Sequence, residues 1–369
     1  MNQLFRWDQT GLFLLALAAG ILPFAVPEVC AAALREGLTL CSGPLLLSLF
    51  PFLVVSRLLV QCPESDLLAM PFRLAAWGIG IRTPCAARVL CIGFLGGFAP
   101  AASAATQAVR TGQLTAEEAD ALLPACICSG PSFVVLTVGQ SLLGSAELGV
   151  LLFASQITAN YLTAALLNRF AGVHSVKPGS AAPASPAPPR LDEILADAAI
   201  TYCKLCGFIL FFRLLAAGAG ALLPTGAGTL CAILLEVCSG CDLASRTGQW
   251  GSLLCCAALS VQGLSVLLQV RTICPPEMTL RPLYRARMLH LPLSLALFYL
   301  LLPGGEADVF STLPARVLLM RRVPPDCALL VFAVCCMAAC TLRSGIRQVE
   351  QKQMARNAGG CCINSKTLL

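Results

Sequence analysis

Long apolar runs separated by short polar stretches are the dominant pattern of this chain. They cover residues 11–27, 44–61, 86–102, 122–140 and 148–170, then 204–223, 228–244, 250–270, 289–303 and 327–342. A helical crossing of a hydrocarbon core takes about 20 apolar residues, so about ten runs near that length predict a helical membrane protein. Between them, residues 28–40 and 191–203 mix charged and apolar positions and predict amphipathic helices, the first at the membrane interface. The run LTAEEADALL predicts a short helix. Thr115 stands at its N-cap and Glu118 three positions on, as a capping box requires.

The polar stretch VKPGSAAPASPAPPR, residues 176–190, is too rich in Pro, Ala and Ser to build a core and reads as a spacer. With residues 171–190 as linker, the chain divides into a first half at 1–170, a second half at 191–342 and a basic tail at 343–369. The first apolar run could pass for a signal-peptide core. Without a convincing cleavage site after it, it reads as a retained crossing.

Composition supports the pattern. Hydrophobic residues make up 57% and charged residues 12% of the 369, and the mean hydropathy is +0.80. Soluble domains carry about 25% charged residues, so this supply cannot coat a water-facing surface. The net charge is +6, but the basic residues sit between apolar runs and in the tail, as topology determinants do. Arg271, Arg281, Arg285 and Arg287 precede the ninth run, and Arg343, Arg347, Lys352, Arg356 and Lys366 follow the tenth. Ten crossings put both groups and the N-terminus on one side, expected to be cytoplasmic; Arg316, Arg321 and Arg322 run against this. No basic stripe with interleaved aromatics occurs, and no nucleic-acid partner is expected.

The 21 cysteines mostly lie inside apolar runs, where a reduced thiol behaves as a small hydrophobe. Two CxxC pairs, Cys203/Cys206 and Cys238/Cys241, have the local spacing of zinc thiolates. They lie in or beside apolar runs, so packing and metal or redox chemistry both stand as readings. His174 and His290 are the only histidines, and no HExxH, GxSxG or P-loop pattern is present. No enzyme activity and no cofactor are expected.

Candidate chemistry gathers where the apolar runs are broken. In the first half GFLGGFAPAA, with Gly97 and Pro100, is followed after a polar helix by a run broken at Ser129, Gly130 and Pro131. In the second half LLEVCSG, with Glu236, is followed by SVQGLSVLLQ, with Gln262 and Gln269. Matching helix breaks in two halves of a membrane protein point to a midplane binding site, because exposed backbone groups in hydrocarbon need a polar neighbour. Gly and Pro at helix crossings or kinks give the alternative reading. Glu236 follows a fully apolar run; it serves a ligand or proton, pairs with a basic residue such as Arg213, or sits near an interface. Gln262 and Gln269, seven apart, would share a helical face, and Asn160 reads as interhelical packing.

These motifs resemble the sporulation integral membrane proteins of the YlbJ type, built from nucleoside-recognition (Gate) domains. The resemblance covers most of the chain. It rests on PLLLSLFPF (44–52), GFLGGFAPAA followed by TGQLTAEEADALL, SGPSF (129–133), LLEVCSG (234–240), SVQGLSVLLQV (260–270) and RMLH (287–290). The chain departs from the family at its first break, where Gly97-Phe98-Ala99-Pro100-Ala101-Ala102 stands for a Gly-Tyr-Pro-x-Gly-Ala pattern. The runs and their matching breaks predict an all-α, polytopic transmembrane bundle of two related halves with broken or re-entrant helices; the resemblance implies one Gate-like repeat at about 86–170, another in the second half, and a role in spore formation. It also implies a multi-pass protein of the cell membrane, in mother-cell or forespore membranes of a spore-forming bacterium. The expected partners are the lipid bilayer, a small polar solute and other spore-envelope membrane proteins. A non-transporting scaffold for spore-envelope assembly is the alternative.

Overall fold

Breakers in the sequence decide where each helix stops. A computed structural model describes residues 9–61, 63–171 and 190–302, and among these it contains helices and no β-strand. His174, the linker short of Arg190, the last apolar run at 327–342 and the basic tail lie outside the described residues.

The chain begins with α1 (Gln9–Ala25), α2 (Pro27–Ser42) and α3 (Pro44–Gln61). Pro27 and Pro44 open their helices, where a missing N–H costs nothing. After the short α4 (Met70–Gly78), α5 (Pro84–Gly96) and α6 (Phe98–Arg110) are joined at Gly97. The chain continues with α7 (Ala116–Cys126), a π-helix (Ser132–Leu142) and α8 (Ala146–Ala171). The predicted capping box holds α7: Glu118 N donates to Thr115 Oγ1 and Thr115 N to Glu118 Oε2, both at 3.1 Å.

Beyond the linker come α9 (Leu191–Leu222), α10 (Thr225–Leu235), α11 (Val237–Ser245), α12 (Gly251–Val261), α13 (Gly263–Ile273) and α14 (Arg281–Leu301). The order repeats. Each half has a long helix (α3, α9), two short helices joined through one residue (α5–α6, α10–α11), an interrupted helix (α7 with the π-helix, α12 with α13) and a closing long helix (α8, α14).

One expectation needs correction, and two runs take the broken, re-entrant form. Residues 191–203 and 204–223 form one 32-residue helix, because no Gly or Pro before Gly207 gives the backbone reason to stop. Residues 228–244 are not one crossing, since the chain folds back at Glu236. A Cβ on Gly240 would lie 2.8 Å from Ile233 Cα, whereas seven residues of straight helix would separate the two by about 10 Å. The run at 86–102 likewise folds back: α5 ends at Gly97, with φ +80° and ψ −163°, which only Gly adopts freely, and α5 packs against α6.

Among the described residues four stretches are long and apolar enough to cross a membrane: Pro27–Val60, Ala146–Ala171, Leu191–Leu222 and Gly248–Ile273. The distribution of side chains fits lipid outside. Phe24 and Phe170 are 89% and 82% exposed, while Gln156, Asn160, Gln262, Gln269 and His290 are at most 2% exposed. A water-soluble bundle would show the reverse. At one crossing the backbones nearly touch, because a Cβ on Gly139 of the π-helix would sit 2.4 Å from Gly149 Cα of α8.

Candidate functional site

Where helices stop inside an apolar bundle, peptide groups lose their intrahelical partners and must find others. Four such interruptions meet in pairs. The apex at Gly97 lies against the break after α7, so that a Cβ there would be 2.8 Å from Gly130 N. The apex at Glu236 lies against the break between α12 and α13, so that a Cβ on Gly263 would be 3.0 Å from Glu236 N and Leu235 O. Gln262 and Gly263 both take left-handed backbone, with φ +65° and +68°. This ends α12 and starts α13 one residue later.

The two pairs meet in turn. Gln262 Nε2 reaches Ser129 Oγ at 3.4 Å, and donates to Leu259 O at 2.6 Å. Between the pairs lies a cavity of ≈ 60 Å³ whose polar lining is Ser129, Ser132, Glu236 and Gln269, with Phe98, Phe133 and Val266 among its apolar walls. The first turns of α6, the π-helix and α11 all face it, and their N-termini carry partial positive charge.

Glu236 is 2% exposed, and its carboxylate caps α11. Oε1 accepts from Cys238 N at 2.9 Å; Oε2 accepts from Ser239 N at 2.7 Å and Ser239 Oγ at 2.8 Å. The expected alternative, a pair with Arg213, does not form: Arg213 pairs with Glu36 of α2 at 2.6 Å. Burial of the Glu236 carboxyl group is therefore balanced by a helix terminus and two backbone donors rather than by a cation. The α6 and π-helix N-termini have no side-chain cap.

Gln269 is the other polar wall. Its Nε2 donates to Ser265 Oγ at 2.9 Å, while its Oε1, on a side chain 1% exposed, has no partner. Gln262 and Gln269 do not share a helical face as their spacing predicted, because the break at Gln262 separates them. Of the sequence-derived candidates, Ser129, Gly130 and Glu236 line the cavity. Gly97 sits behind it at the hairpin apex, Gln262 touches it through Ser129, and Pro100 and Pro131 open the helices beside it.

A polar core that the sequence did not disclose supports this arrangement. Arg287 of α14, 7% exposed, donates from Nη2 to Ile127 O and Asn160 Oδ1, both 3.1 Å, and from Nη1 to Ser260 O at 3.3 Å. One guanidinium thus serves carbonyls at the C-terminal ends of both interrupted helices, α7 and α12. Beside it Gln156 Nε2 donates to Ser260 Oγ at 2.9 Å, Ser260 and Ser294 hydroxyls lie 2.5 Å apart, and His290 Nε2 faces Gln156 O at 3.2 Å. Three nearby arginines, Arg271, Arg281 and Arg285, give Arg287 the sequence character of a loop cation. Its i, i+3 relation to His290, within a Leu-rich helix, was the available signal. Asn160 belongs to this network, as its packing role implied.

The CxxC cysteines are free and lie in separate helices, α9 and α11. Among the described residues no three His, Cys, Asp or Glu side chains gather as a metal ion would need. No family model, no curated protein and no solved structure matches this chain.

Proposed function

We propose that this chain is a multi-pass cell-membrane protein that binds, and moves or senses, a small polar solute at the midplane between its broken helices. The observation that carries the reading is the cavity where both hairpin apices and both helix breaks meet, with Gln269, whose Oε1 has no hydrogen-bond partner, among its lining residues. At 1.5 Å per residue the 11 to 13 residues of α5, α6 and α10 span about 16–20 Å. That is enough for a re-entrant hairpin to reach the middle of a core of about 30 Å.

A cavity of ≈ 60 Å³ holds roughly four to six water-sized groups at about 10–15 Å³ each. In this conformation it suits a solute of a few heavy atoms better than a nucleoside. The resemblance to YlbJ-type proteins with Gate repeats supports a place in spore formation. The scaffold reading draws on one observation, that the Glu236 carboxylate is already engaged by its own helix.

Uptake by vesicles containing only this protein separates the two readings, with small amides, amino acids and inorganic ions as the solutes tried. A transporter takes up at least one of them and loses that uptake with Gln269→Leu. A scaffold takes up none.

A further inference from the structure

A second cavity lies lower in the same groove of α3, α6, α9 and α13, and its chemistry is opposite to that of the first. It measures ≈ 160 Å³, and its lining includes Arg57, Arg110 and Lys204 with a single acid, Asp197. Three cations against one anion leave a surplus of +2. Asp197 is committed to Arg57 through an ion pair, and neither Arg110 nor Lys204 has an acidic partner among the described residues. The Ser103 and Thr201 hydroxyls face the same space and make no hydrogen bond there, whereas Thr106 Oγ1 donates to Ile273 O at 3.2 Å.

The two cavities are separate. A small apolar cluster, built on Leu53, Ala99 and Leu205, closes the groove between them. Its members Leu49 and Phe98 face the upper cavity, and Leu205 and Ile273 face the lower one.

Like charges gathered beside an apolar groove repel more strongly than they would in bulk water. The arrangement is stable when an anion completes it. Position agrees: α9 is 32 residues, about 48 Å long, so it outruns a core of about 30 Å. Asp197, Thr201 and Lys204 fall where its polar N-terminal part meets its apolar part, the place on a crossing helix where lipid headgroups would lie.

We infer that the pocket formed by Arg110, Lys204, Ser103, Thr201 and the Arg57–Asp197 pair binds a phosphate-class oxyanion. Two cations and two free hydroxyls supply charge-assisted donors to such an oxyanion, and the volume of ≈ 160 Å³ admits roughly eleven to sixteen water-sized groups at about 10–15 Å³ each, enough for a hydrated phosphate. The inference stands independently of solute movement through the upper cavity.

A phosphate monoester in solution and a lipid phosphate present the same group, and thermal unfolding of the full chain distinguishes them. In one arm, protein in uncharged detergent is titrated with inorganic phosphate against chloride at equal ionic strength. In the other, nanodiscs of phosphatidylcholine are compared with nanodiscs containing phosphatidylglycerol. A saturable rise in Tm with phosphate identifies a soluble oxyanion; a rise only with phosphatidylglycerol identifies a headgroup. Arg110→Gln with Lys204→Gln is expected to weaken that response by about tenfold or more for each lost charged contact. Because both side chains are exposed, this double variant folds. Arg110→Lys, which keeps the charge, retains part of the response and controls for misfolding. The inference is overturned by a Tm that moves equally with chloride and with neither lipid, or by a response that survives in the double variant.

Discussion

Glu236 accepts three hydrogen bonds from the first turn of its own helix, which changes what a substitution there reports. Glu236→Gln keeps the shape but can accept through only one oxygen, so it removes a cap as well as a charge. Buried charge-assisted caps contribute about 1–3 kcal/mol, and Glu236→Gln is expected to unfold at a clearly lower temperature in detergent. Gln269 behaves oppositely. Its Oε1 is buried without a partner, a cost of about 1–3 kcal/mol, so Gln269→Leu should match or exceed the parent's Tm. A drop in Tm would show that the amide is structural. Stability retained together with lost uptake would mark a group held for function at the expense of stability. Arg287→Met should remove a donor from Ile127 O, Asn160 Oδ1 and Ser260 O in one step, leaving Ile127 O only its 3.4 Å bond from Asn160 Nδ2. At about 1–3 kcal/mol per buried group, it should leave little folded protein by size-exclusion chromatography. Arg287→Lys should rescue this only in part, since a point charge cannot serve three acceptors as a planar fork does.

At the scale of elements, the decisive features are the two fold-back points and the two interruptions. Gly97 and Gly263 combine positive φ with a neighbouring backbone 2.8–3.0 Å from any added Cβ. Ala at either position must shift that backbone, so each of Gly97→Ala and Gly263→Ala should lower Tm more than Gly20→Ala, where nothing lies within 4 Å of the new methyl. Equal effects at all three positions would contradict the close approach of apex and break. Much of this element order was legible in the sequence. The runs at 44–61 and 148–170 are helices with nearly the expected bounds, the capping box at Thr115 forms, and the breaks at Ser129–Pro131 and Gln262 are real. The direction of the chain after each break was not. A Gly or a Glu announces that a helix ends, but whether the next one continues or turns back depends on the two backbone angles of a single residue. The partner of Glu236 was equally hidden, because a side chain that caps its own helix leaves the same sequence trace as one that waits for a cation. Arg287 was concealed by its neighbours, three arginines that give a buried residue the look of a loop.

At the scale of the whole molecule, many large apolar side chains stand exposed while a set of polar ones is buried within the apolar core, and the two broken-helix sets are joined by few but specific bonds. Arg287, Asn160 and Gln156 tie α7, α8, α12 and α14 together, so the closing helices carry contacts to both interruptions. This arrangement lets the interrupted helices remain irregular without exposing peptide groups to lipid. The central claim is that water, and a polar solute, reaches those interruptions. Backbone hydrogen–deuterium exchange of the protein in nanodiscs tests it most directly. Segments 93–102 and 260–266 should exchange about tenfold or more faster than the middle of α8, residues 152–164, whose peptide groups are all within a continuous helix. If both interruptions are as protected as α8, they face a dry interior, and the cavity has no polar occupant.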